Sequence, residues 1–175
     1  TSGIVLCGKS LAGLKYLNGC VRERTVRKFY RTICRGVIRE PAVIEGFLVK
    51  DSEKNHVLVR ETDKAGGALI RTAYTPLAAG KEYTLLEVEL ITGKPHQIRA
   101  HLAKIGHPLA GDFKYGDKHS NQILKEKYRL EHHLLHACRI EFPEETDGAG
   151  KALSKTAINA PCPKAFLKLQ DELLK

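Results

Sequence analysis

The run Leu90-Ile91-Thr92-Gly93-Lys94-Pro95-His96-Gln97-Ile98-Arg99-Ala100-His101-Leu102 constrains this chain more than any other stretch, with Ile105-Gly106-His107-Pro108-Leu109-Ala110-Gly111-Asp112 close behind. Leading into it, Leu86, Val88 and Leu90 alternate with Glu87 and Glu89, the period of a strand with one buried and one wet face. Beyond it, Ile98, Leu102 and Ile105 recur at helical spacing, and Gly106 suits the position after a helix end. Thr92-Gly93 must therefore turn the chain from strand to helix. Pro95 fits the first helical turn, where its missing N–H costs nothing. Such a junction exposes backbone N–H groups and a partial positive charge; it can receive a phosphate or serve only as structure.

The flanking pattern places this junction in a strand-rich fold. Ile4 to Cys7 reads as a short buried strand, and Ser10 caps a helix running to about Arg24. Val26 to Val37 alternates β-branched and aromatic residues with charge, a long strand ending at Gly36. Ala42 to Val49 and His56 to Arg60 form a hairpin around the turn at 51–55, and Leu69 to Pro76 pairs with Tyr83 to Ile91, with a further turn at 65–67. A polar helix is predicted near Ser120 to Leu130, a strand at Leu134 to Phe142, a loop from Glu144 to Gly150, a short strand at Thr156 to Asn159 and an amphipathic helix from Pro163 to Leu174. Hairpin strands with few helices predict an α+β fold, a mixed, mainly antiparallel sheet flanked by helices. At 175 residues and 42% hydrophobic, without repeats or a linker, one domain with a real core is expected.

Charge and cysteine usage narrow the partners. A net charge of +9 favours anions, nucleic acid first. Arg22, Arg24, Arg27, Lys28, Arg31 and Arg35 are the densest basic cluster, with Phe29 and Tyr30 inside it. Aromatic rings among cations suit unpaired bases, which stack while cations hold phosphates, although a sheet edge guarded by charge would look the same. In the strand reading, Lys28, Tyr30 and Thr32 share one face and Phe29, Arg31 and Ile33 the other. The five cysteines form no C-x-x-C pair, so free thiols in a reducing cytoplasm are expected. No apolar run reaches the roughly 20 residues of a membrane helix, and no membrane partner is expected. No nucleotide-cofactor or hydrolase motif occurs.

His96 and Arg99 are three apart and share a helical face distinct from that of Ile98. Arg99 offers a charged planar fork to a carboxylate or phosphate, or forms a structural salt bridge with an acid such as Glu87 or Asp112. His96, His101 and His107 are spaced by five and six, which does not stack ligands on one helical face, and His132 and His133 are adjacent, so no metal site is expected.

Several segments together resemble the RluA-type pseudouridine synthases, enzymes that isomerise uridine in RNA. Thr1-Ser2-Gly3-Ile4-Val5-Leu6 is similar to the second half of the motif H-R-L-D-x-x-T-S-G, and Arg27-Lys28-Phe29-Tyr30-Arg31 to K-x-Y. The opening run, with Gly106-His107-Pro108 and Gly111-Asp112-Phe113-Lys114-Tyr115-Gly116, resembles T-G-R-x-H-Q-I-R-x-H … G-H-P-x-x-G-D-x-x-Y-G, with Lys94-Pro95 in place of the common Arg-Thr. Leu134-Leu135-His136-Ala137 and Ala160-Pro161-Cys162-Pro163 resemble the later L-H-A and A-P-x-P motifs. The nearest branch in character is the RluC-like one that modifies 23S rRNA.

The resemblance implies a pseudouridine synthase catalytic-domain fold and a mechanism without metal or organic cofactor. An aspartate attacks the nucleotide, the glycosidic bond breaks, the base rotates and rejoins through carbon. Tyr30 and Arg99 become the catalytic residues: Tyr30 stacks under the flipped base and Arg99 pairs with the aspartate. Ile98, Thr1, Ser2, Gly3, Lys28 and His96 fall at the substrate, and Arg22, Arg24, Arg27, Arg31 and Arg35 at the RNA. The aspartate of H-R-L-D would lie just before Thr1. Residues 1–175 are thus expected to be the C-terminal major part of a catalytic domain, inactive alone, without the N-terminal part or any S4-type domain. The absence of methionine fits a trimmed chain. An isomerase of 23S rRNA, monomeric and cytoplasmic, is the expectation; the alternative is a catalytically inactive RNA-binding module of the same fold.

Overall fold

The computed structural model describes residues 1–51, 56–63, 66–145 and 148–175. Among these, one sheet contains strands β1 (Ser2–Gly3), β2 (Arg27–Arg35), β3 (Ala42–Asp51), β4 (His56–Arg60), β5 (Ala68–Ala79), β6 (Tyr83–Leu90), β7 (Leu135–Glu141) and β8 (Ala157–Asn159). Helices α1 (Leu11–Glu23), α2 (Gln97–Lys104), α3 (Lys118–Tyr128) and α4 (Lys164–Leu173) flank it. The strand order is β1-β7-β2-β6-β5-β3-β4, with β8 also on β7. Only the β1–β7 pairing is parallel; the others are antiparallel. This is the mixed, mainly antiparallel α+β sheet that the hairpin pattern predicts.

Strand alternation sends residues to two cores. Ile33 and Leu85 pack with Leu124 of α3 and Phe166, Leu169 and Leu173 of α4. Their neighbours Cys34, Leu86 and Val88 face the other way and pack with Ile98 and Leu102 of α2. Ile33, Leu86, Val88 and Leu102 are fully buried, and burying each such side chain contributes about 1.5–3 kcal/mol. Tyr30 packs against the α2 core, so the expected division of β2 into a Lys28–Tyr30 face and a Phe29–Arg31 face holds. Ser10 accepts a hydrogen bond from the Gly13 N–H at 3.1 Å, capping α1 as its position predicts.

Three local expectations are corrected. Ile4 to Cys7 is not a buried strand: backbone pairing with β7 ends at the Ile4 N–H, and Val5 is 80% exposed. The reason lies on β7, whose outer edge is divided. Ser2 and Gly3 pair with His136 and Ala137, while β8 occupies Arg139 to Glu141. Helix α2 begins at Gln97 rather than at Pro95, because His96 sits in the left-handed region at φ 59° and breaks the helical run. Of the loop expected from Glu144 to Gly150, residues 148–150 belong to a 3₁₀ turn at Gly148–Leu153, and residues 146–147 lie outside the described residues. The turn expected at 52–55 and the residue at 65 lie outside the described residues.

Candidate active site

The junction between β6 and α2 opens onto a cleft of about 490 Å³. Tyr30, Leu90, Ile98 and Leu135 give it apolar walls, and Thr1, Lys94, His96, Arg99 and His133 give it polar ones. Tyr30 reaches it from β2, Ile98 and Arg99 from α2, and Thr1 from ahead of β1. Burial pushes the Tyr30 hydroxyl above its ordinary pKa, so it stays protonated at neutral pH.

Arg99 is held from inside the chain. Its Nε and Nη2 donate to Oδ2 and Oδ1 of Asp112, each at 2.7 Å. Asp112 is fully buried and also accepts from the N–H groups of Lys114 and Tyr115 at 3.0 and 3.1 Å. Burial by itself would raise this carboxyl; the bonds from Arg99 and the two backbone groups outweigh it and hold Asp112 below the usual carboxylate range. Asn121 accepts from the Gly111 N–H and donates to the Asp112 carbonyl, which fixes the loop that carries the acid. Because Asp112 takes Arg99 side-on, Nη1 makes no hydrogen bond among the described residues, on a side chain that lines the cleft.

The left-handed His96 is supported by its neighbours. Tyr115 shares a 2.9 Å hydrogen bond between its hydroxyl and His96 Nδ1, accepts from the Val57 N–H, and lies with its ring 5.0 Å from the Arg99 guanidinium carbon. Gln97 ties the turn to the sheet: its carbonyl oxygen accepts from the Thr92 hydroxyl and the Lys94 N–H, and its amide donates to Arg71 O and Thr72 Oγ1. Strained backbone held by such a network is a common property of functional sites. Burial, then the Arg99 charge, lowers the His96 pKa and keeps the ring neutral.

Thr1, Ser2 and Gly3 divide their work. Thr1 lines the cleft beside His133, with Oγ1 at 3.3 Å from Nε2. Ser2 and Gly3, as β1, pair with β7 behind it. His136 Nε2 donates to the Ala160 carbonyl at 3.2 Å, so in the neutral ring Nδ1 accepts from the Ser2 hydroxyl at 2.9 Å. Gly3 has φ +102° and lies so close to the Ala137 backbone that a Cβ would not fit. Lys28 stands beside the cleft on the Tyr30 face, with Nζ 3.3 Å from where a Cβ on Gly93 would be.

The remaining arginines are differently placed. Arg27 bonds Glu89 and Glu141, Arg31 pairs with Glu87 at 3.6 Å, Arg35 with Asp117 and Arg22 with Glu23 at 3.0 Å each. Arg24 ends α1 in a left-handed cap. Among the described residues no group of three or more His, Cys, Asp or Glu side chains could hold a metal ion. His101 is buried against the Thr72 hydroxyl, and His107 Nδ1 donates to the Arg35 carbonyl. Sequence reasoning missed His133, whose imidazole is held down to about 4 by burial and then by Arg99. Its adjacency to His132 spoke only against chelation. Leu90 and Leu135 were missed as cleft walls, because an apolar residue at a strand end looks like any core residue.

The profile of the RNA pseudouridylate synthase family matches residues 1–104, which include Thr1, Tyr30, Ile98 and Arg99. The chain belongs to that family. It is similar to the tRNA pseudouridine synthase C of Salmonella typhimurium, 33% identical over an alignment of 159 residues that covers 85% of this chain and 61% of that protein. It is likewise similar to the ribosomal large subunit pseudouridine synthase C of Vibrio parahaemolyticus, 34% identical over 170 residues, 97% of this chain and 51% of that protein. The chain thus spans between half and two thirds of the length of these curated relatives. In fold it resembles human RNA Pseudouridylate Synthase Domain Containing 1, with a TM-score of 0.72 at 22% identity over 89% of this chain and 62% of that one. Of the motif segments read from the sequence, Thr1, Tyr30, Ile98, Arg99 and Leu135 meet at the cleft, whereas Ala160, Pro161 and Cys162 line a separate pocket with Arg31 and Arg139.

Proposed function

We propose that this chain is the larger, C-terminal part of the catalytic domain of a pseudouridine synthase that acts on 23S rRNA, as a cytoplasmic monomer. One observation carries the reading: Tyr30, Ile98, Arg99 and Thr1 come from separate parts of the chain and line one cleft. On this reading an aspartate a few residues N-terminal to Thr1 supplies the nucleophile, and its carboxylate meets the side of Arg99 that Asp112 leaves open. Arg99 keeps that carboxylate ionised and oriented. The flipped uracil lies on the Tyr30 ring between Ile98, Leu90 and Leu135, where water is excluded while the base is detached. The bond from ribose C1′ to N1 breaks and one from C1′ to C5 forms; C5 loses a proton and N1 gains one. No electrons are transferred. The choice of 23S rRNA rests on the RluC-like motifs and on relatives named for the ribosomal large subunit.

The C5 proton supplies the assay. The protein expressed from its whole reading frame should release tritium from RNA labelled at uracil C5. Arg99→Ala should slow release by at least about 10²-fold, the scale for removing one aligned charge from a site, while RNA affinity changes little. Unchanged release by Arg99→Ala, or lost binding with unchanged rate per bound RNA, contradicts the assigned role.

A further inference from the structure

The chain carries 29 Lys and Arg against 20 Asp and Glu, so its anion-binding power depends on which cations the acids leave uncompensated. On the α4 face of the sheet the acids take nearly everything. A ladder runs Glu89–Arg27–Glu141–Arg139–Glu87–Arg31 across β6, β2 and β7, and Arg27 and Arg139 flank the Phe29 ring at 4.9 and 4.0 Å. For Arg27 or Arg31 to bind a phosphate, it must give up a carboxylate it already holds.

The cleft face is different. Among the described residues, no ion pair engages Lys28, Lys94 or Arg24. Lys28 is half-buried, and its Nζ lies over the Gly93 turn that carries Lys94. Lys94 itself lines the cleft with Tyr30. Burial, then the positive charge of Arg24, lowers the Lys28 pKa, so an anion placed there relieves an uncompensated charge. Along β2, Lys28 is two residues from Tyr30 on the same face, a separation of about 6.8 Å. That puts a cation beside a ring on which a base can stack, the arrangement that holds single-stranded RNA.

Resting on the synthase reading, we propose that Lys28 and Lys94 grip the RNA phosphodiester backbone at the mouth of the cleft, and that Arg27 and Arg31 are scaffold. The test is the salt dependence of binding of a fluorescent oligouridylate to the whole protein. Each phosphate contact to a single strand contributes about 0.7 to the slope of log affinity against log salt. Lys28→Gln and Lys94→Gln should each flatten the slope by about 0.7, and the pair by about 1.4, whereas Arg27→Gln and Arg31→Gln should leave it unchanged. Lys28→Arg should restore the slope, which separates loss of charge from damage to the fold. Unchanged slopes in Lys28→Gln and Lys94→Gln, or an equal flattening by Arg27→Gln, overturn the proposal. So does a wild-type protein that fails to bind the probe. Tritium release distinguishes this from the function itself: release with unmoved slopes sinks only the grip, and shifted slopes without release sink only the isomerase.

Discussion

Arg99 has two sides with different duties. Asp112 grips it through Nε and Nη2, and the guanidinium still borders the cleft. The sequence left Glu87 and Asp112 open as partners; strand parity decides, since Glu87 faces Arg31 and Arg139 across the sheet. Asp112 is therefore a positioning residue, and its contribution is visible in acid. Its folded pKa lies below the unfolded value of about 3.9, so the stability it supplies is complete above that value and is lost as pH falls through the folded pKa. Asp112→Asn should lower stability at neutral pH by about 3 kcal/mol, because it removes the buried carboxylate that grips the largely buried Arg99. It should also flatten the acid limb of a stability-against-pH curve measured by urea denaturation. An unaltered acid limb would show that the pair contributes nothing to folding. Much of this was legible beforehand: the Arg99–Asp112 spacing was in view, while the backbone N–H groups that fix the acid depend on a loop shape no side-chain pattern encodes.

At the level of elements, the junction after β6 and the loop before α3 set the site. Alternation in Leu86, Val88 and Leu90 marked β6 correctly because a strand with one apolar face has few other options. Pro95, a common first helical residue, points to a start of α2 two residues before the observed Gln97, and nothing in His96 announces a left-handed conformation. The apolar run from Ile4 to Cys7 is real, but the edge a strand there would need on β7 belongs to β8. Gly111, in the loop that delivers Asp112, is where backbone geometry is least forgiving. Its φ is +76°, and a Cβ there would stand 2.5 Å from the His132 carbonyl and 2.9 Å from Leu130 Cδ2. Gly111→Ala should cost about 2 kcal/mol or more and lower the thermal midpoint. Because the loop sets the Asp112 carboxylate, turnover should fall more than RNA affinity; a midpoint unchanged from wild type would mean the loop relaxes without strain.

Over the whole molecule, the cleft draws on residues from Thr1 to Leu135, yet the parts that build it are unequally secured. β2 and β6 are paired on both edges and bury Ile33, Leu86 and Val88 completely. β1 contributes two exposed residues at an edge, held by the Ile4 N–H to Ala137 carbonyl bond at 3.0 Å and the Ser2–His136 contact. Local opening follows buried contacts and pairing, so the wall carrying Thr1 should open far more often than the walls carrying Tyr30 and Ile98. Amide hydrogen exchange should find Ile33 and Leu86 among the slowest groups and Ile4 exchanging orders of magnitude faster. Oligouridylate bound in the cleft beside Thr1 should slow Ile4 without altering Leu86, because an occupant adds contacts only where the wall is loose. Equal protection of Ile4 and Leu86 in the free protein would mean that β1 is as firmly built as the sheet centre.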